Sequence, residues 1–159
     1  MKKLRVVLCC CAVAVVTSVQ AQKNCSPGDA AAAQKAIDKI VSWPNLEKAF
    51  RDFGHCDSGP VEEAFTDALM RLLVGWKNID AVAGATSKDA KYKEFVNKHL
   101  MSPAAKDDRE DVYALAKKNC PSMQDKFCTE LMDAIRPAAG AAKPGDAPMN
   151  FDAMKPIGK

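Results

Sequence analysis

His55, Cys56 and Asp57 stand in a row and place an imidazole, a thiol and a carboxylate side by side. These are the group types of a base, a nucleophile and an acid. The members of a catalytic triad converge from separate parts of a fold, so three consecutive residues have the wrong geometry for one. His55 is expected instead as an exposed loop residue beside an oxidised Cys56. His99, the other histidine, shares an apolar face with Tyr92, Phe95 and Val96 and is expected to be partly buried with its ring hydrogen-bonded.

Asp57, Glu62, Glu63 and Asp67 crowd one short segment. Glycosidase chemistry would need one carboxyl raised in an apolar pocket and a partner across it. Here Glu63, Asp67 and Arg71 follow at helical spacing, so Asp67 and Arg71 pair along a helix surface. The segment reads as a charged face, and His55, Asp57, Glu62, Glu63 and Asp67 are assigned to a partner-binding surface. Phosphate-cradling loops, a G-x-S-x-G elbow and an H-E-x-x-H helix are all missing. No catalytic residue, cofactor or metal is therefore expected.

Of seven cysteines, Cys9, Cys10 and Cys11 lie in an apolar run near the N-terminus, and Cys25, Cys56, Cys120 and Cys128 lie beyond it. The last four are separated by 31, 64 and 8 residues. That spacing lacks the close ligand pairs of a zinc site and the C-x-x-C of a thioredoxin-like redox motif or haem attachment. Two disulfides are expected. Cys25–Cys56 with Cys120–Cys128 is the pairing put first. The nested alternative, Cys25–Cys128 with Cys56–Cys120, stays open at this point.

The compartment follows from the first 21 residues. Lys2, Lys3 and Arg5 precede an apolar run over residues 6–16, and Val19, Gln20 and Ala21 form a small-residue exit. This is the three-part pattern of a secretory signal peptide cut after Ala21. Its apolar run falls short of the roughly 20 residues of a membrane-spanning helix. Gln22, Lys23 and Asn24 before Cys25 do not make a lipobox, so no lipid or membrane anchor is expected. The short, twice-lysine start looks bacterial and points to a periplasmic or secreted protein. Lys2, Lys3 and Arg5 also carry the whole +3 excess; the remaining chain has 20 basic and 20 acidic residues. A nucleic-acid partner needs a basic footprint, and none is supplied.

Three segments follow: a signal peptide over residues 1–21, a helical domain over 22–136 and a tail over 137–159. The tail holds four Pro, three Gly and six Ala in 23 residues, too little apolar surface to offset its conformational entropy, and is expected to be disordered. Pro148, Met149, Phe151 and Met154 form an apolar island within it.

Between Cys25 and Arg136 the apolar period is helical. Ser26, Pro27 and Asp29 read as N-cap, N1 and N3 of a first helix with Ala33, Ile37, Ile40 and Val41 inward. Trp43 before Pro44 should end it. Leu46, Phe50 and Phe53 mark a short second helix, with Gly54 at its C′ position. Pro60 restarts the chain into a central helix with Val61, Phe65, Ala68, Leu69, Leu72, Leu73 and Trp76 on one stripe. Residues 78–84 fit either a short helix or a loop. Ser87 should cap a helix carrying Tyr92, Phe95, Val96, His99 and Leu100. Asp107 or Asp108 should cap the next, and Ser122 a last one with Phe127, Cys128, Leu131 and Ile135. The fold class is all-α, a compact bundle of five to seven short helices stapled by two disulfides.

The stretch GHCDSGPVEEAFTDALMRLLV, with the later KKNCPSMQDKFC, resembles a group of small exported bacterial four-cysteine helical proteins. That resemblance spans roughly residues 43–135 and carries no activity with it. In architecture alone, a signal peptide with a small helical domain and two disulfides also resembles periplasmic immunity proteins of the Rap/Tai kind. This second resemblance implies a binding partner, a toxin that the protein blocks by covering it. The functional expectation is a non-enzymatic binding protein, immunity- or inhibitor-like, acting on another protein. The alternative is an envelope-stress or chaperone-like accessory protein.

If residues 1–21 are removed on export, the intact mass should correspond to a chain starting at Gln22 with no free thiol. Mass spectrometry with and without reductant checks both parts. A retained leader, or alkylation of the unreduced protein, would overturn it.

Overall fold

Ser26 opens the first helix through its own side chain. Its Oγ accepts the Asp29 backbone N–H at 3.1 Å, and the Asp29 carboxylate accepts the Ser26 backbone N–H at 3.4 Å. This capping box, with Pro27 at N1, satisfies donors that a helix start would otherwise leave open. The structure, a computed structural model, describes residues 24–136. The expected signal peptide and tail lie outside the described residues. Seven α-helices follow in order: α1 Pro27–Ile37, α2 Trp43–Phe53, α3 Pro60–Gly75, α4 Ile79–Lys88, α5 Ala90–Met101, α6 Arg109–Lys118 and α7 Asp125–Ile135. Short 3-10 turns at Gly54–Cys56 and Pro103–Ala105 precede α3 and α6. No strand occurs among the described residues, and the all-α class holds.

α3 is the centre of the bundle and packs against α1, α2, α5 and α6. Phe65, Ala68, Leu69 and Leu73 are fully buried, and so is Met70 on the flank of the stripe. Leu72 and Trp76 are only partly buried, at the edge of the core. Trp76 leaves the helix in a left-handed conformation and donates its Nε1–H to the Asn119 carbonyl at 2.9 Å. Trp43, fully inside, donates in the same way to the Lys77 carbonyl at 2.8 Å. Each indole thus satisfies its one donor while burying its rings.

Several expected boundaries move. α1 stops at Ile37, and Trp43 and Pro44 begin α2 instead of ending α1. A proline in the first turn of a helix gives up only an N–H that had no partner there. The connector before α2 is not helical, so its neighbouring side chains diverge. Ile40 is buried, while Val41, expected inward, is 81% exposed. Gly54 is right-handed at φ −58° and runs on into the 3-10 turn. It is needed for space, because a Cβ there would sit 3.0 Å from the Phe50 ring. Asn78 is the left-handed N-cap of α4, and residues 79–84 belong to that helix, which continues through Ser87 to Lys88. Asp89, not Ser87, caps α5, accepting the Lys91 and Tyr92 N–H groups at 3.0 and 3.1 Å. α7 starts at Asp125 behind Gln124, with Ser122 and Met123 in the preceding turn.

The disulfides are Cys25–Cys56 and Cys120–Cys128, so the nested pairing is excluded. The first fastens the start of α1 to the 3-10 turn ahead of α3. The second closes the connection between α6 and α7. Among the described residues, no helix is long and apolar enough to cross a membrane.

Because Leu69 is fully buried at the centre of α3, Leu69→Ala should cost about 2–5 kcal/mol, as deletion of buried aliphatic groups does. Thermal or denaturant unfolding of the oxidised protein measures it. Wild-type stability in the variant would show that α3 does not hold the core.

Candidate functional site

The turn after Cys56 brings Asp57 inward rather than outward. Its side chain is 10% exposed, and its Oδ2 lies 3.2 Å from His99 Nε2 on α5. The other ring nitrogen, Nδ1, lies 2.7 Å from Thr66 Oγ1 on α3. His99 is 0% and Thr66 1% exposed. Lys98, beside His99, donates to the Asp57 carboxylate and to its backbone carbonyl, both at 3.0 Å, and reaches within 3.4 Å of Glu62. A loop and two helices thus meet on one polar chain: Lys98, Asp57, His99, Thr66.

The ring is walled by aromatics. Phe95 stands edge-on to it at 4.4 Å between centroids, and Phe65 lies at 5.9 Å. In such surroundings an unpaired polar group costs about 1–3 kcal/mol, and here both ring nitrogens have partners, while Asp57 Oδ1 is buried without one. Donors and acceptors balance for either protonation state of the imidazole. With a neutral ring, Nε2–H donates to Asp57 and Nδ1 accepts the Thr66 hydroxyl proton. With a charged ring, Nδ1–H donates to Thr66 Oγ1, whose own proton turns to the Glu62 carbonyl at 3.0 Å. The Thr66 hydroxyl serves both states by rotating.

Hydroxyl, imidazole and carboxylate are therefore linked in the order of a nucleophilic relay. The relay is sealed. The hydroxyl and the imidazole are out of reach of solvent, with Phe95 and Phe65 against the ring. What the arrangement does is fix the loop after Cys56 against α3 and α5. Burial alone pushes the Asp57 carboxyl up and is the largest single influence on it. The hydrogen bond and charge of His99, then those of Lys98, together outweigh burial and hold the group below its ordinary range.

The remaining residues of the sequence-assigned surface separate. His55 is on the 3-10 turn with a side chain only 15% exposed, not on an open loop; its Nε2 lies 3.8 Å from an Asp29 carboxylate oxygen of α1. Glu62 faces Lys98. Glu63 points outward, and Asp67, 81% exposed, pairs with Arg71 at 3.1 Å as the spacing required. The structure thus brings Asp57 and Glu62 together around Lys98 and leaves Glu63 and Asp67 on the outer face of α3. Thr66 and Lys98 were missed in the sequence. The available signal was polarity out of place: a threonine beside the central apolar stripe and a histidine on an apolar face both need buried partners.

Two open grooves lie elsewhere. One, of about 710 Å³ between α2 and the α4–α5 corner, carries both signs of charge, and its Arg51 is held by Glu47 at 2.6 Å. The other, of about 570 Å³, lies between α4, α5 and the start of α7. Among the described residues, no cluster of three or more His, Cys, Asp or Glu side chains has the arrangement of a metal site.

A carboxyl held below its ordinary range in the fold stabilises the folded state above its unfolded value, and that contribution fades as pH falls through the folded value. Asp57→Asn should therefore be less stable than wild type at neutral pH, and the gap should close as pH drops below the ordinary carboxylate range. Asp57→Ala should cost more, about 3–5 kcal/mol, because it leaves the polar partners unpaired inside. Denaturant titrations across pH check both, and a gap that does not change with pH would remove Asp57 from this role. Comparison with known proteins found no matching family model, no matching curated protein and no matching solved structure.

Proposed function

We propose that this is an exported protein, periplasmic or secreted, that acts by binding another protein, in the manner of an inhibitor or immunity protein, and not by catalysis. The observation that carries the reading is the sealed Thr66–His99–Asp57 chain, in which the groups suited to chemistry are spent on holding a loop. That loop is pre-ordered at its start by two restraints on adjacent residues, the Cys25–Cys56 disulfide and the Asp57–His99 contact. A surface that is ordered before contact loses less entropy on association.

The partner-facing surface on this reading remains the segment over residues 55–67, with its residues in different roles. Asp57 and His55 support it from within, Glu62 sits at its rim, and Glu63 and Asp67 face the partner. Exposed carboxylates steer a basic partner and make the on-rate fall with salt. Two disulfides suit an oxidising compartment. A chaperone-like role would ask for broad apolar surface. The large exposed apolar side chains Val41, Val74, Met101 and Met123 instead stand on four separate stretches of the chain.

The mature protein, immobilised, should retain one stoichiometric partner from periplasmic or competitor extracts. The double variant Glu63→Gln, Asp67→Asn should lower that affinity with its melting temperature near wild type. Many weakly held proteins would favour the accessory role. Unchanged affinity would remove the α3 acids from the interface.

A further inference from the structure

Met123 is 92% exposed and has φ +75°, a left-handed conformation that a non-glycine side chain seldom adopts. It sits between Cys120 and Cys128, in the β-turn over residues 121–124 that lies within that disulfide loop. A large apolar side chain is thus held out in water at the third position of a turn closed by the Gln124 N–H on the Pro121 carbonyl at 3.0 Å, and its exposure has no packing partner inside the fold. Met123 stands at the mouth of the groove between α4, α5 and α7. Phe127 and Ala83 supply apolar wall there. Lys88, Lys93 and Lys126 supply cations, against one acid, Glu130, which lies 2.7 Å from Lys93 and 3.9 Å from Lys126. Lys88 makes no ion pair among the described residues.

We infer that this groove docks an acidic segment of another protein, with an apolar side chain of that segment seated between Met123 and Phe127. The inference rests on the reading that the protein works by binding, but it assigns a second surface, opposite in charge to the α3 face. Three lysines against one glutamate select an acidic partner. The disulfide-closed turn presents the methionine already in place, so contact orders little that was free before. A protruding apolar anchor within a ring of charge is how binding energy is concentrated at protein interfaces.

The test is a titration of the oxidised protein, followed by amide NMR, with a short synthetic peptide of Asp and Glu around one central Leu-Phe pair. Its basic counterpart, with Lys replacing the acids, is the control. Saturable shifts at Met123, Phe127 and Ala83 that weaken with salt are expected for the acidic peptide alone. Lys88→Glu should lower affinity roughly tenfold, the order of a single interface anchor. Met123→Gly separates a docking role from a structural one. Glycine accepts positive φ without a Cβ, so its melting temperature should stay level or rise, while affinity falls roughly tenfold. Wild-type affinity in Met123→Gly, equal shifts at Met123, Phe127 and Ala83 with the basic peptide, or no saturation at millimolar peptide would overturn the inference. Shifts confined to Glu63 and Asp67 would overturn the groove and leave the binding role of α3 standing.

Discussion

One carboxylate, one imidazole and one hydroxyl lie inside the bundle and are tied to one another, and among their polar atoms Asp57 Oδ1 alone lacks a hydrogen-bond partner. Asp57, His99 and Thr66 come from a loop and from two helices, and their contacts span 33 and 42 residues of chain. A charged or polar group in an apolar interior is tolerated only when its partners are held in register. Satisfying these three therefore fixes how α5 crosses α3 and where the loop between α2 and α3 runs. Gly59, at φ +54°, lets that loop turn into Pro60 and start α3 directly after Asp57 has been placed. The aromatic rings of Phe50, Phe65 and Phe95 close over the result and keep water out.

The two disulfides act at different ranges. Cys25–Cys56 joins positions 31 apart and anchors α1 to the loop that carries Asp57, so the covalent and the polar restraints converge on one short segment. Cys120–Cys128 joins positions 8 apart. In the chain-entropy view the longer loop gains more from closure, though only by (3/2)RT ln n, about 0.6 kcal/mol per doubling of length. The shorter bridge has a different consequence. It encloses the hydrogen-bonded turn over residues 121–124 in which Met123 takes φ +75°.

On the proposed reading, function rests on the outside of this core. The outer side of α3 carries Glu63 and Asp67, and the α4–α5–α7 groove carries lysines around an apolar wall. These faces are set by elements whose positions the core determines, so surface chemistry can change without disturbing the residues that fold the protein.

The apolar period by itself determined the all-α class, the central place of α3 and the inward positions of Phe65, Leu69 and Leu73, because a 3.6-residue repeat is a property of consecutive residues. The capping box at Ser26 and the Asp67–Arg71 pair were legible for the same reason, since both span three or four positions. The even count of cysteines beyond the N-terminal apolar run implied two bridges, but their pairing was a choice among alternatives until the fold brought Cys25 to Cys56. The exposure of Val41 and the role of Pro44 as a helix start depended on where a connector meets its neighbours. That His99 needed a buried partner was legible from its place on an apolar face, but the partners Thr66 and Asp57 were not, because they lie 33 and 42 residues away along the chain. Local periodicity decides which elements form. Only their packing decides which buried polar groups meet, since that depends on the register between elements and not on the order of residues within one.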